Sequence, residues 1–474
     1  STFFVNSGKW YWEVRKNGTG SFWKHGIRTS SDSLTGADGN SSTGLEIYPY
    51  INQKQSSSGN DGTYGTTNAQ GTIWGVALDM DAGTITMFEN GSSLGTMYSG
   101  LNAIDDGAWS PTYTTYSSGV DVTFNFGQDS TFAGATTAGG NADGNGVGDF
   151  KYAPPSGYLA LCTANLPEPT IIDGTEYFNT VLYTGNNSTQ SITGVGFSPS
   201  WVWLKSRTTG YDHTVYDVVR GATYKLPTND TYQESADVDT LTSFDSDGFS
   251  VGADVKVNAA SGAMVSWNWK AGGTGVSNTN GSITSTVSAN TDAGFSVVSY
   301  TGTGSAATVG HGLGVAPSMM IVKVRSASGY NWRVYHASTG ATKYLDLNLT
   351  NAAGTSTIPW NDTAPTSTVF TVGTNPDTNG SSLTIIAYCF HSVEGYSKVG
   401  SYIGGGSNFP FVYTGFRPAW LMVKNASASG AWYIFDVKRN TYNAMDNYLR
   451  PNLSNTENNL DFCDFTSNGF KIRS

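Results

Sequence analysis

The chain has 474 residues, a formal charge of −11, 13% charged and 13% aromatic side chains, and 58 glycines. That balance excludes a disordered chain, which lacks the aromatics to build a core. It also argues against a nucleic-acid partner, because phosphate binding needs a basic surface and no block of Lys and Arg is present. No run of about 18 apolar residues occurs, so no membrane insertion through a helix is expected.

Short apolar runs between stretches of Gly, Ser, Thr and Asn predict an all-β protein of many strands. The first is GKWYWEV, Gly8 to Val14, where Trp10, Trp12 and Val14 share one face and Tyr11 and Glu13 the other. WGVALDMDAGTITMFENG, Trp74 to Gly91, reads as strand, turn, strand, closed by an Asn90-Gly91 hairpin turn. VDVTFNFGQ, Val120 to Gln128, is a further alternating strand. In that order the three motifs resemble the SPRY (B30.2) family, over most of residues 8 to 128. The resemblance implies a bent sandwich of two antiparallel sheets, assigned here to residues 1–160. It also implies recognition through loops without catalysis. One departure is that strand material normally precedes the first motif, whereas few residues precede Trp10.

Exposed loop aromatics Tyr48, Tyr50, Tyr64 and Tyr116 are the candidate ligand-binding residues of this segment. The candidate metal site is NADGNGVGD. Asn141, Asp143, Asn145 and Asp149 fall at roughly the first, third, fifth and ninth places of a calcium loop, with Gly146 at the sharp turn. Tyr152 stands where that loop needs a bidentate Glu, so a plain polar turn is the competing reading. No other cofactor is expected.

A linker, 161–172, contains two prolines, which keep it extended. Beyond it one phrase occurs three times: FSPSWVWLKS from Phe197, VAPSMMIVKV from Val315 and FRPAWLMVKN from Phe416. Each has Pro at a strand's start, since Pro cannot donate to a ladder, then an apolar run, then Lys205, Lys323 or Lys424. The lysines read as ends of strands with packed stems and amines in water. Tyr183, Tyr300 and Tyr402 precede the phrases, and Phe249, Phe370 and Phe470 follow them. The spacing, roughly a hundred residues, is too long for a solenoid unit. It predicts three tandem β-sandwich domains: 173–272, 281–392 after a 273–280 linker, and 393–474. The last has no counterpart of SGAMVSWNWKAG (Ser261–Gly272) or GSSLTIIAYCFHS (Gly380–Ser392). The 474 residues are therefore expected to be part of a longer polypeptide, with a neighbouring subunit's strand as the alternative. The N-terminal Ser1 points the same way.

Catalytic patterns have simpler readings. GSSLG around Ser93 matches a nucleophile elbow, but strands lie on both sides where a helix should follow. GHGLG, Gly310 to Gly314, leads into a strand and is a turn. Asp79 and Asp81 could serve as paired carboxylates, yet a hairpin turn explains both. His25, His213, His311, His336 and His391 form no ligand motif. Trp201, Trp203, Trp267, Trp269 and Trp420 lie in strand patterns and are expected in cores. The cysteines Cys162, Cys389 and Cys463 are far apart and lack C-x-x-C, which argues against disulfides and zinc; Cys389 is expected to be a buried apolar side chain.

YAPPSGYLALCTANLPEPTI, WNWKAGG and SYIGGGSNFPFVYTGFRPAWLMVKN together resemble virion proteins of tailed bacteriophages, usually tail-fibre or related structural proteins. The resemblance spans nearly the whole chain. It implies a non-enzymatic, virion-located protein binding a host-surface glycan or protein receptor. It also implies a homo-oligomer, a trimer, in contact with other virion proteins. A bacterial adhesin or lectin, or a carbohydrate depolymerase, are the alternatives.

Overall fold

The computed structural model describes residues 4–29, 44–65, 68–104, 108–115, 119–165, 169–404 and 409–473. They form antiparallel sheets almost throughout, with two single-turn α-helices, Val255–Asn258 and Pro376–Asn379. Among the described residues, no helix is long and apolar enough to cross a membrane. The chain divides into two compact units. One holds Ser1–Glu168, Tyr402–Gly415 and Thr466–Ile472; the other holds Pro169–Ser401, Phe416–Phe465 and Arg473–Ser474.

The first unit is a sandwich. In one sheet Lys9–Lys16 lies between Val122–Asn125 and Ile73–Asp79, and the sheet continues through Thr84–Glu89 to Ser92–Ser99. The other runs Gly59–Thr63, Gln53–Ser56, Leu45–Tyr48, Trp23–Thr29, Trp109–Thr115. The period-two alternation places Trp10, Trp12 and Val14 in a core with Trp23, Ile47, Trp74 and Trp109. Each such aromatic removes much apolar surface from water, at roughly 25 cal/mol per Å². Asn90 and Gly91 both have positive φ, 49° and 82°, the turn whose twist suits a two-residue hairpin. The predicted hairpin is present, with Asp79 opposite Thr84.

The outer face of Lys9–Lys16 is also covered. Tyr11 packs with Ala77, Phe150 and Ala160, and Leu159–Ala160 pairs with the strand in parallel. Glu13, fully buried, accepts the backbone N–H groups of Lys151 (2.9 Å) and Tyr152 (2.8 Å) and the Asn125 amide (3.1 Å). Burial pushes its pKa up against those bonds, so the carboxylate fastens residues 149–152 over the strand. In the same unit Phe411–Tyr413 pairs with Gly469–Ile472, and Phe411 stacks on Phe4 at 5.4 Å.

In the second unit the three Pro-to-Lys runs are strands Trp201–Ser206, Met319–Val324 and Trp420–Lys424. Each makes an antiparallel hairpin in the same register: Trp201 faces Asp217, Met319 faces His336 and Trp420 faces Asp436. The first two also pair on their other edge, with Ala263–Trp269 and Thr384–Phe390 respectively. Their residues alternate between two cores, which explains the continuous apolar runs. Val202 and Leu204 join Phe249 and Val257, while Met320 and Val322 join Phe370 and Cys389. The opposite faces meet in one cluster containing Trp201, Trp203, Trp267, Ile321, Tyr388, Trp432 and Ile434. The three stretches thus share a core, which the local patterns do not convey.

The lysines correct the sequence reading. Lys205 and Lys323 are fully buried, and their amines are not in water. Lys205 Nζ donates to the carbonyls of Ser206 (2.9 Å), Thr209 (3.3 Å) and Ser454 (3.1 Å). Lys323 Nζ donates to Tyr330 (2.8 Å) and Thr231 (3.2 Å), and Lys424 Nζ to Asn425 (2.7 Å) and Thr350 (3.3 Å). Each amine therefore ties its own strand to a different hairpin: first to third, second to first, third to second. The asparagines two places before those carbonyls do matching work. Asn229, Asn348 and Asn452 accept the N–H groups of His213, Trp332 and Trp432 at 3.0, 2.9 and 3.0 Å.

Candidate functional site

An aromatic rim lies at one end of the second sheet of the N-terminal sandwich. Trp23–Thr29 pairs with Trp109–Thr115 and Leu45–Tyr48, which brings Phe22, before one strand, next to the turn after another. That turn closes through Ile51 N–H to Tyr48 O and Asn52 N–H to Pro49 O, both 3.3 Å, and Asn52 takes φ 53°, which Asn tolerates better than most residues. Phe22 (43% exposed) and Tyr50 (47% exposed) pack at 4.7 Å between ring centroids. Tyr48 lies 6.3 Å from Tyr50, and the Lys24 amine is 5.6 Å from the Tyr48 ring. Ile51 is 41% exposed beside them. Clustered, half-exposed aromatics offer flat faces for stacking.

The structure brings together two of the four predicted ligand residues, Tyr48 and Tyr50. Tyr64 is a correction. It is a core residue, its hydroxyl donating to Gly95 O (2.6 Å) and accepting from Met87 N–H (3.2 Å). Polar neighbours in sequence disguise a ring whose tip is satisfied by backbone, the usual condition for burying tyrosine. Tyr116 lies outside the described residues. Phe22 was missed because it sits in a Gly- and Ser-rich stretch with no periodicity, though an isolated Phe before a strand is a usable signal.

The proposed calcium residues sit in the segment fastened by Glu13. Asp143 Oδ1 accepts from Asn145 N–H (2.9 Å) and Val147 N–H (3.0 Å), and Oδ2 from Ala160 N–H (2.8 Å) and the Asn165 amide (2.6 Å). Those donors hold its pKa below the usual carboxylate value against burial. Asp149 accepts from Ser130 N–H at 3.2 Å, and Asn141 and Asn145 donate to carbonyl oxygens nearby. The loop's own N–H groups thus stand where a cation would be. Among the described residues no three His, Cys, Asp or Glu side chains are grouped to hold a metal.

Ser93 is on an exposed strand, its hydroxyl accepting from Gly95 N–H. Asp79 accepts Ala82 N–H (2.8 Å) and pairs with Lys9 (2.8 Å), while Asp81 accepts Gly8 N–H (2.8 Å). Both carboxylates therefore serve the turn. His25, His213, His311 and His391 are buried; His25 stacks on Trp23 at 5.0 Å, and burial pushes its pKa down to about 3.

Two family models match the chain. One, described as the SPRY domain, covers residues 9–129; the other, described as a domain of unknown function (DUF7483), covers residues 173–474. The chain belongs to the DUF7483 family. Its N-terminal segment is a SPRY domain, so the aromatic rim is a SPRY-domain surface and the shared core is that of the DUF7483 domain. Among solved structures, one described as the crystal structure of the SPRY domain of human HERC1 is 19% identical. It covers 26% of this chain and 78% of that chain, with a TM-score of 0.23. No curated protein matches.

Proposed function

We propose that the chain is a non-enzymatic structural and adhesive protein of a tailed-bacteriophage particle, tail-fibre or tail-associated, that binds the host surface through its SPRY domain. The observation that carries this reading is the Phe22–Tyr50 rim: half-exposed aromatics in tilted contact, with Lys24 beside Tyr48. Exposed aromatics grouped at one place suit a glycan or protein receptor. In this reading the stretches 173–272, 281–392 and 393–474 are three copies of one unit. Their hairpins close a ring with approximate threefold symmetry, supported by the cyclic Lys205, Lys323 and Lys424 bonds. The ring is a rigid platform rather than a flexible tether. Assembly into a trimer and contact with other virion proteins belong to the same proposal.

The test is twofold. Labelled antibody against the chain, imaged on purified particles, is expected to mark the tail, and unmarked particles would refute the location. The Phe22→Ala/Tyr50→Ala protein is expected to bind host cells at least about tenfold more weakly, as loss of central aromatic anchors does. Unchanged binding would remove the rim from the proposal.

A further inference from the structure

The shared core has three places for a strand beside a Pro-to-Lys strand, and two are filled from within the described residues. Ala263–Trp269 lies beside Trp201–Ser206 with Trp269 opposite Trp201, Trp267 opposite Trp203 and Val265 opposite Lys205. Thr384–Phe390 lies beside Met319–Val324 with Phe390 opposite Met319, Tyr388 opposite Ile321 and Ile386 opposite Lys323. The pattern is the same: aliphatic, x, aromatic, x, aromatic. At the third place, Trp420–Lys424 pairs with Trp432–Asp436 alone among the described residues. Its five residues are all half-buried, where Trp201–Ser206 is buried throughout. The Trp420 indole N–H is buried without a partner, and its ring meets Trp269 edge-on at 5.5 Å. An unpaired strand edge displays ladder donors and acceptors.

We propose that this edge is a strand-acceptor site for one antiparallel β-strand of a partner protein that carries the aliphatic-x-aromatic-x-aromatic pattern. The proposal rests on the threefold reading. Binding is strand addition: main-chain bonds supply affinity and alternate side chains supply specificity. One aromatic stands opposite Trp420, the second opposite Met422 and the aliphatic residue opposite Lys424. The filled places refine the second aromatic. Trp267 Nε1 donates to Asp436 Oδ2 at 3.0 Å and the Tyr388 hydroxyl to Asp217 Oδ2 at 2.8 Å. By register the third carboxylate is replaced by His336, whose Nδ1 already accepts from Ser338 N–H. The occupant therefore needs no donor there, and Phe serves.

The experiment uses the full chain and three synthetic peptides: Gly380–Ser392, the same with Tyr388→Phe, and a scramble. Amide hydrogen exchange at Trp420–Lys424 is expected to slow at least about tenfold with either patterned peptide and not with the scramble. The Phe peptide is expected to bind within about threefold of the parent. Met422→Pro, which removes a ladder donor facing this open edge and leaves the Leu421 and Val423 bonds to the hairpin partner, is expected to abolish the protection while Met319–Val324 keeps its own. No protection from the patterned peptides, or equal protection from the scramble, would overturn the proposal. So would native mass spectrometry showing a peptide-free dimer that Met422→Pro dissolves, since the edge would then pair with a second copy. The threefold reading is tested separately, by native-state hydrogen exchange on the full chain carrying Glu457→Ala.

Discussion

The junctions between the three hairpins of the DUF7483 domain share one backbone plan but not one side-chain chemistry. Between first and third, Glu457 N–H donates to Arg207 O at 2.8 Å. Between second and first, Glu234 N–H donates to Arg325 O at 2.8 Å, and between third and second, Ala353 N–H donates to Ala426 O at 2.9 Å. At the first two, ions are added. Arg207 meets Glu457 through two bonds, 3.0 and 2.7 Å, and Arg325 meets Glu234 at 3.5 Å. Behind them Arg439 bridges Glu457 and buried Asp436, and Arg220 bridges Glu234 and buried Asp217. The third junction has alanines in place of the outer pair, and His336 and Thr339 stand where the buried Asp and Arg would be. The comparison teaches that backbone bonds, lysines and asparagines hold the geometry, while the charges are a separate layer. A buried ion pair is weak evidence of stability, yet breaking one is costly.

That separation can be broken from the charged side. Arg439→Ala leaves Asp436 buried without its partner, and a loss of about 3–5 kcal/mol is expected in denaturant unfolding. Arg220→Ala should match it. The homologous change in the third junction, Thr339→Ala, should cost under about 0.5 kcal/mol.

The lysine layer comes next. Lys205→Met or Lys323→Met strands buried carbonyls, costing about 1–3 kcal/mol, and Lys424→Met, at a half-exposed site, should cost less. Burial pushes both buried amines down to about 8, from an ordinary value of 10.5. Below pH 8 both folded and unfolded states carry the proton, and the cost of burying the charge is fully present. From about pH 8 to 10.5 the unfolded state holds more protons, so stability rises with pH. The stability of the natural chain relative to Lys205→Met/Lys323→Met should therefore grow across that window. A flat difference would show that the amines keep an ordinary pKa.

The smallest effect comes from completing the third junction. Ala426→Arg with Ala353→Glu should add no more than about 1 kcal/mol, as partly exposed pairs do. A double-mutant cycle measures the coupling.

The SPRY strands were legible because their signals are local: period-two alternation in GKWYWEV and a positive-φ Asn90-Gly91 turn. The shared core was not. Its bonds join residues far apart in sequence, such as Lys205 to Ser454, and a lysine ending an apolar run looks the same whether its amine meets water or a distant carbonyl. One signal was available. DVVR from Asp217 and DVKR from Asp436 stand at matching places after the Pro-to-Lys runs, with HAST from His336 between them. An acid and a base three residues apart beside a buried strand point to a buried pair. In the candidate site the aromatics were half legible: Tyr48 and Tyr50 were visible as candidates, Tyr48 ending a strand and Tyr50 in the turn after it, whereas Tyr64 depended on a hydroxyl satisfied by Gly95, which no local pattern encodes.

The central claim is that the three hairpins form one cooperative ring. Native-state hydrogen exchange on the full chain carrying Glu457→Ala tests it most directly, because Glu457 touches only the first and third hairpins. If the ring is one cooperative unit, the opening free energies of amides in Trp201–Ser206, Met319–Val324 and Trp432–Asp436 fall together by the same amount. Loss confined to the first and third, with Met319–Val324 unchanged, would contradict it.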